Sequence, residues 1–148
     1  MTYSHLLRFS RQMERYYAER FVPMVERTGL TMNEIHELLF LANNPDCDTA
    51  RDVVMLRGLS KSQVSQAVEA MVNKGVLLRR ADDEDRRVVH LAITEAGVSL
   101  AKEAQSIQAD CGAQLLDGIT AEELAVLRRA VEQMMANGNR LMGKESVQ

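Results

Sequence analysis

Short polar side chains recur at helical spacing in the middle of the chain, after Ser60. Such side chains could contact DNA: a Gln amide can bridge the N6 and N7 atoms of adenine, and a Ser hydroxyl can pair with a base edge or a phosphate. A Lys at a helix start would add charge where the helix dipole already attracts phosphate. The predicted DNA contacts in this run are Lys61, Ser62, Gln63, Ser65 and Gln66.

A strongly charged run, Asp82-Asp83-Glu84-Asp85-Arg86-Arg87, lies further along the chain. An arginine guanidinium can enter the narrow minor groove of A·T-rich DNA, where the negative potential is enhanced, so Arg86 and Arg87 are also predicted DNA contacts. Asp85 is predicted to support this segment by holding an arginine fork through charge-assisted hydrogen bonds. The alternative is a solvated turn with local salt bridges, because the acids of the run oppose phosphate binding.

A helix-turn-helix and a hairpin would position these side chains. Gly58 separates a short helix from a second helix over residues 60–74, and Gly75 supplies a left-handed stop. Apolar and β-branched runs, Val76–Leu78 and Val88–Ile93, flank the charged run, which predicts a two-stranded β-hairpin with a charged wing at residues 82–88. The apolar side of the second helix is predicted to pack inward: Val64, Ala67, Val68, Met71 and Val72.

Four capping boxes mark helix starts, because a Thr or Ser oxygen and an acidic or amide side chain three residues on can satisfy free N–H groups. They are Thr31 with Glu34, Thr49 with Asp52, Ser60 with Gln63, and Thr120 with Glu123. A long helix is predicted from Tyr3 to about Val25, with Pro23 expected to kink or end it, and another begins at Thr94. The pattern predicts a mainly α (α+β) fold.

Length and composition limit the class of protein. The 148 residues, 46% of them hydrophobic, suit one domain with its own core. The sequence lacks a signal-peptide pattern and an apolar run of about 18 residues, so a soluble, cytoplasmic protein without a membrane partner is expected. The net charge is -3, yet residues 51–90 carry eight basic and six acidic side chains, which leaves ten basic and fifteen acidic elsewhere. The positively charged segment therefore contains the predicted DNA contacts.

Four segments of the sequence resemble the MarR family of winged helix-turn-helix regulators. They are Leu59–Gln66, Gly75–Arg80, Asp82–Arg87 and Ile93–Gly97. Positions of the family pattern are occupied here by Asp82, Asp85, Arg87, Thr94 and Gly97. Gln66 departs from the pattern, since many relatives carry an arginine there, and the departure implies a weaker or different contact with DNA.

The resemblance implies a homodimer that binds double-stranded DNA and regulates transcription. Residues 1–148 would form a single domain, with residues 1–30 and 98–148 as dimerisation helices and residues 31–97 as the winged helix-turn-helix. Recognition helix 60–74 would lie in the major groove, and wing 82–88 in the minor groove, of a pseudo-palindromic operator with half-sites about 10 base pairs apart. A repressor relieved by a small ligand is expected. The operator, the regulated genes, the effector and the choice between repression and activation are left open.

Aromatic side chains indicate where an effector could bind, in line with the resemblance. A pocket between the dimerisation helices and the DNA-binding region would accept a small apolar or aromatic effector. Its predicted lining residues are Tyr16, Tyr17, Phe21, His36 and Phe40. Ordinary core packing is the alternative for the same side chains.

The sequence predicts no metal site and no cofactor. Cys47 and Cys111 lack the spacing of a disulfide framework or a zinc ribbon, so reduced thiols are expected. Neither cysteine matches the N-terminal cysteine of redox-sensing relatives, and whether either one senses redox state is left open. His36 matches a helix-two ligand of zinc-sensing relatives, but the His-x-x-x-His pair expected in the fifth helix is missing.

An enzyme and a protein-binding module are the two alternatives to a DNA-binding protein. An enzyme is not predicted, because the sequence has no nucleophile elbow, no phosphate loop and no cluster of metal ligands. The remaining alternative is a winged-helix module that binds protein and does not bind DNA specifically, which the net negative charge and the acidic wing would suit. Salt-dependent binding to duplex DNA would separate the two.

Overall fold

Local hydrogen bonds at the helix starts set the element boundaries in the computed structural model, which describes residues 2–143. At all four predicted capping boxes the hydroxyl accepts from the backbone N–H three residues on, and the side chain of that residue accepts from the cap N–H. The predicted mainly helical fold with one two-stranded antiparallel hairpin is confirmed. The elements are α1 (Tyr3–Thr28), α2 (Met32–Asn43), α3 (Ala50–Arg57), α4 (Lys61–Asn73), β1 (Leu77–Ala81), β2 (Val89–Ile93), α5 (Glu95–Leu115) and α6 (Ala121–Leu141).

Helix α1 continues through Pro23 to Thr28, three residues beyond the predicted bound, so the prediction that Pro23 could end the helix is wrong. Phe21 and Met24, on either side of the proline, are both buried in the core. Tertiary packing of this kind outweighs a local break in the hydrogen-bond pattern. Gly29 ends the helix instead, because its φ of 68° is left-handed and its N–H closes the final turn.

Helices α3 and α4 form the predicted helix-turn-helix, joined by Gly58–Ser60. Gly58 has a φ of 65°, a left-handed conformation that glycine adopts without strain. The two strands pair antiparallel, with Leu77 opposite Ile93. Strand β1 extends to Ala81, beyond the predicted apolar run, because its pairing with β2 continues up to the wing. The wing is therefore carried on a longer hairpin than the sequence predicts.

By its internal packing the chain divides into two compact units, residues 1–111 and residues 112–148. The first unit has one hydrophobic core, built by side chains from α1–α4, both strands and α5. Its fully buried members include Phe21, Ile35, Leu38, Val53, Val64, Met71 and Leu77. The second unit contains α6, on which no residue is buried. Within residues 2–143, every helix is too short or too polar to span a bilayer.

The start of α5 is held closely against the hairpin. The Thr94 hydroxyl donates to the carbonyl oxygen of Gly75 (2.6 Å) and accepts from the N–H of Gly97 (3.0 Å). A β-carbon at Gly97 would lie 2.3 Å from the Val76 carbonyl oxygen and 2.7 Å from a methyl of Ile93. Only glycine fits this approach, so Thr94 and Gly97 of the family pattern lock α5 to the strands.

Gly97→Ala is expected to destabilise the protein, although alanine is ordinarily the better helix former by about 1 kcal/mol. The added methyl would force the backbone of Val76 to move, and overpacking of this kind lowers the free energy of unfolding by about 1–3 kcal/mol. Urea denaturation followed by circular dichroism measures the change. The matched control is Gly112→Ala, in the same helix with open space around the glycine, which should leave stability unchanged or raise it. Equal stability of Gly97→Ala and the parent protein would contradict this packing.

Candidate nucleic-acid interface

Helix α4 has one buried face and one exposed face. Val64, Ala67, Val68 and Met71 are buried, as predicted, and Val72 is partly buried. The opposite face is exposed and includes Lys61, Ser62, Gln63, Ser65, Gln66, Glu69 and Asn73. A B-DNA major groove, about 12 Å wide, admits one α-helix. The five predicted contacts on α4 therefore lie at the surface, on the side open to a duplex.

Gln63 has a structural role at the start of α4. Its side-chain oxygen accepts from the backbone N–H of Ser60 at 3.1 Å, and its own N–H donates to the Ser60 hydroxyl at 3.2 Å. A base contact through that amide oxygen would have to break the cap. The other four predicted side chains on α4 have no hydrogen-bond partner among residues 2–143, so they are available to a ligand.

A groove of about 740 Å³ runs between α3, α4 and the hairpin. It brings Lys61 and Ser65 beside two arginines that the sequence did not single out, Arg51 and Arg79. Arg79 is paired with Glu69 of α4 at 2.6 Å, and both side chains are about half exposed. In the sequence, Arg51 and Arg79 are part of the excess of basic residues over 51–90. A charge count alone does not show which of those basic residues lie on the same surface.

A second hollow of about 410 Å³ adjoins this groove, because the first turn of α3, including Arg51, lines both. Arg87 of the wing also lines the second hollow. Lys61, Arg51 and Arg87 thus lie on one connected surface, which we call the basic stripe. Arg86 is exposed and lines neither hollow. Of the two wing arginines, the structure brings Arg87 beside the first turn of α3.

The acids of the wing hydrogen-bond to its own backbone. Asp82 Oδ1 accepts from the N–H groups of Glu84 (2.8 Å) and Asp85 (2.7 Å), and Asp85 Oδ1 accepts from the backbone N–H of Arg87 (3.0 Å). Asp85 therefore contacts the wing backbone, and no arginine side chain is among its hydrogen-bond partners within residues 2–143. The guanidinium groups of Arg86 and Arg87 have no partner in the part of the chain that the structure describes.

His90, on β2, connects the wing to the loop before α3, a contact that the sequence did not reveal. Its Nδ1 lies 2.7 Å from Asp48 Oδ1, and its Nε2 lies 3.0 Å from Asp82 Oδ2. Hydrogen bonds to the carboxylates of Asp48 and Asp82 raise the pKa of His90. Hydrogen bonds from the backbone N–H of Asp85 and from His90 lower the pKa of Asp82 to about 2. The ring and the two carboxylates form one charged cluster at the base of the wing.

A cavity of about 650 Å³ in the first unit contains three of the five predicted pocket residues, Tyr17, His36 and Phe40. The ring centroids of Tyr17 and His36 are 5.6 Å apart. Burial lowers the pKa of His36 and raises that of Tyr17, so both are mainly neutral near pH 7. Tyr16 does not line the cavity, and Phe21 is fully buried in the core. For Phe21, therefore, ordinary core packing applies and a place in the pocket lining does not.

One wall of this cavity carries a partly buried cation, Arg57. Arg57 lines the cavity, and its buried Nη1 has no hydrogen-bond partner among residues 2–143. Glu37 on α2 is fully buried, and its two carboxyl oxygens also lack a partner there. Burial raises the pKa of Glu37 to about 7, against the opposing effect of Arg57. Near neutral pH the guanidinium stays charged while the carboxyl is only partly ionised, so the cavity has positive character at Arg57.

The two cysteines are free thiols, Cys47 partly buried and Cys111 buried. Neither lines the groove, the second hollow or the cavity. Within residues 2–143, no group of three or more His, Cys, Asp or Glu side chains is arranged to hold a metal ion.

The helix-turn-helix region of the chain is similar to proteins of known family. Residues 28–88, from the end of α1 to the wing, match the model of the MarR family. Over 119 residues the chain is 26% identical to the homoprotocatechuate degradative operon repressor of Escherichia coli, and the match covers 80% of this chain and 80% of that protein. The matched family segment contains the complete helix-turn-helix.

Solved structures share the fold. A MarR transcriptional regulator from Methanosarcina mazei Go1 has a TM-score of 0.77 at 19% identity, covering 93% of this chain and 99% of that one. MepR of S. aureus, solved in complex with DNA, has a TM-score of 0.77 at 22% identity, covering 92% and 96%. Members of the family are transcriptional regulators and not enzymes. Over its helix-turn-helix the chain is therefore similar to the MarR family, and residues 2–143 share the fold of solved MarR regulators.

Proposed function

We propose that the protein is a homodimeric repressor that places α4 in the major groove and the wing, residues 82–88, in the minor groove of a pseudo-palindromic operator. The exposed polar face of α4 beside the basic stripe carries the proposal. Repression is proposed because the E. coli relative is a repressor, and DNA binding is supported by the fold shared with MepR, which was solved in complex with DNA. Such a regulator would act in the cytoplasm, with the genes it controls.

On α4 the proposed base contacts come from the two turns nearest the helix start. In helix-turn-helix proteins the N-terminal residues of the recognition helix contact base edges, and here these are Ser62, Ser65 and Gln66. Lys61 is suited to a phosphate, because it adds charge at the helix N-terminus. Gln63 would contribute through its amide nitrogen, since its oxygen is held in the cap. With Gln66 in place of the usual arginine, adenine is the base that its amide matches best.

The rival function, a protein-binding module, drew its support from the acidic wing. Two of the four acids, Asp82 and Asp85, accept hydrogen bonds from backbone N–H groups of the wing itself. Asp82 also faces His90. These hydrogen bonds leave the acids charged, but they order the backbone that carries Arg86 and Arg87. The two guanidinium groups have no partner among residues 2–143, which supports contact with phosphate.

The homodimer is proposed from the apolar face of α6. Soluble proteins normally cover such a face, and a helix of the second protomer is the proposed cover. We assign residues 1–30 and 98–148 to dimerisation and residues 31–97 to DNA binding, within one MarR-like domain over residues 1–148. A monomer in solution would contradict this assignment. The exposed apolar side chains at helical spacing are Leu127, Val131, Met134 and Leu141.

Relief of repression by a ligand is proposed from the cavity in the first unit. Its volume, about 650 Å³, falls within the roughly 300–1,000 Å³ that small-molecule sites occupy. The rings of Tyr17, His36 and Phe40 suit a small apolar or aromatic effector. The cavity is lined by α1, α2 and the end of α3, so an effector could change the position of the helix-turn-helix that begins at α3.

Arg87→Ala is expected to weaken binding to all duplexes to a similar extent, because a phosphate or minor-groove contact carries little base information. The plot of log Kd against log salt concentration should flatten by about one unit of slope for the lost contact. Fluorescence-anisotropy titrations at several salt concentrations measure both effects. An unchanged slope for Arg87→Ala would reject the role of Arg87.

Gln66→Ala is expected to change base preference, with a loss of about 1–3 kcal/mol on the preferred operator and a smaller loss on operators altered at one base pair. Competition by unlabelled duplexes that differ at single positions gives this profile. Asn73→Ala, on the same exposed face but at the last turn of α4, is the matched control and should keep the parent profile. If Gln66→Ala weakens all duplexes equally, Gln66 does not contact a base.

A further inference from the structure

Both ring nitrogens of His90 face carboxylate oxygens, at 2.7 Å and 3.0 Å. Ionised carboxylates only accept hydrogen bonds, and a neutral imidazole has one N–H donor. A neutral ring would therefore set a nitrogen lone pair against either Asp48 or Asp82. The imidazolium has two N–H donors and satisfies both contacts, so the geometry fits the protonated ring.

The charged groups around His90 come from three parts of the first unit. Asp48 belongs to the connection between α2 and α3, and Asp82 to the wing. Arg80 is the partner of His90 in the register of the hairpin and is exposed. The Asp48 carbonyl oxygen also accepts from the N–H of Leu91 at 2.7 Å, which holds the connection beside β2. The two carboxylates are the groups that touch the ring.

The contacts of His90 continue to the wing tip. Asp82 uses one oxygen for the ring and the other for the N–H groups of Glu84 and Asp85. Asp85 in turn accepts from the backbone N–H of Arg87. An unbroken series of polar contacts thus joins Asp48, before the helix-turn-helix, to the proposed minor-groove arginine.

We propose that protonated His90 is a positioning residue for DNA binding: its imidazolium bridges Asp48 and Asp82, fixes the wing relative to α3, and makes operator affinity fall when the ring loses its proton. This inference rests on the DNA-binding function proposed above. Because the two carboxylates raise the pKa of His90, the bridge is complete below its ordinary value of 6.5 and is lost as pH rises through the raised value. The protein would bind its operator more tightly in mildly acidic than in alkaline solution.

The protonation of His90 can be measured on the full chain without DNA. Long-range ¹H–¹⁵N spectra of the imidazole rings are recorded against pH, and the His90 signals are assigned by their loss in His90→Gln. The expected midpoint lies above 6.5 and falls in Asp48→Asn, which removes one of the two acceptors while keeping the ring. A midpoint at or below 6.5, or one that Asp48→Asn leaves unmoved, would overturn the bridge.

Operator affinity is then measured by fluorescence anisotropy at constant ionic strength at two pH values, one below and one above the midpoint that the ring titration gives for His90. The parent protein should lose between about 5-fold and 150-fold in affinity at the higher pH, the usual range for coupling between two sites. His90→Gln should bind weakly at both pH values with no such change, and Asp48→Asn should shift the pH midpoint of binding downwards.

The outcomes separate this inference from the proposed function. Tight operator binding by the parent protein with the same pH dependence in His90→Gln would reject the positioning role and leave the repressor standing. Absence of operator binding by the parent protein at both pH values would reject the repressor, while the ring titration would still decide whether the bridge forms. Thermal melts of His90→Gln and Asp48→Asn show whether each variant is folded, and the midpoint shift in Asp48→Asn is a result that a purely structural contact would not give.

Discussion

Burial of one face of α4 is the constraint on which the rest of the DNA-facing surface depends. Val64, Val68 and Met71 lie in the core of the first unit, and burying each such side chain stabilises the fold by about 1.5–3 kcal/mol. A single base contact is worth about 1–3 kcal/mol, so no contact with DNA could turn the helix against its core. With 3.6 residues per turn, this packing fixes Ser62 and Gln66 on the outside. The core thus sets which side chains the protein can present to bases.

Hydrogen bonds to carboxylates fix the conformation of the wing, because a short hairpin tip has no hydrophobic core of its own. Asp82 and Asp85 satisfy backbone N–H groups, and Asp82 also faces His90. The same acids that oppose phosphate binding in the sequence therefore order the segment that carries Arg86 and Arg87. The proposed interface combines helix α4, which apolar packing fixes, with a wing that hydrogen bonds fix. The position of α4 should change only when core packing is lost. The hydrogen bonds of the wing should depend on pH and salt.

The parts of this structure that follow from the sequence are those set by residues close together in the chain. Capping boxes join residues three apart, and the two faces of α4 follow from helical period, so both were predictable. The helix passing Pro23 was not, because distant core residues hold it. The cluster of His90 was also out of reach, since the ring and Asp48 are 42 residues apart and only the fold places them together. Phe21 shows the same limit: an aromatic residue at helical spacing fits a core or a pocket equally well until its neighbours are known.

The most direct test of the account is a fluorescence-anisotropy titration of a labelled duplex from the gene's own upstream region, at two salt concentrations, with an unlabelled random duplex as competitor. A specific repressor predicts tight binding that weakens steeply with salt and resists the competitor, because base contacts add to the phosphate contacts that any duplex offers. Absence of binding, or complete displacement by the random duplex, would contradict sequence-specific recognition and favour the winged-helix module that binds protein.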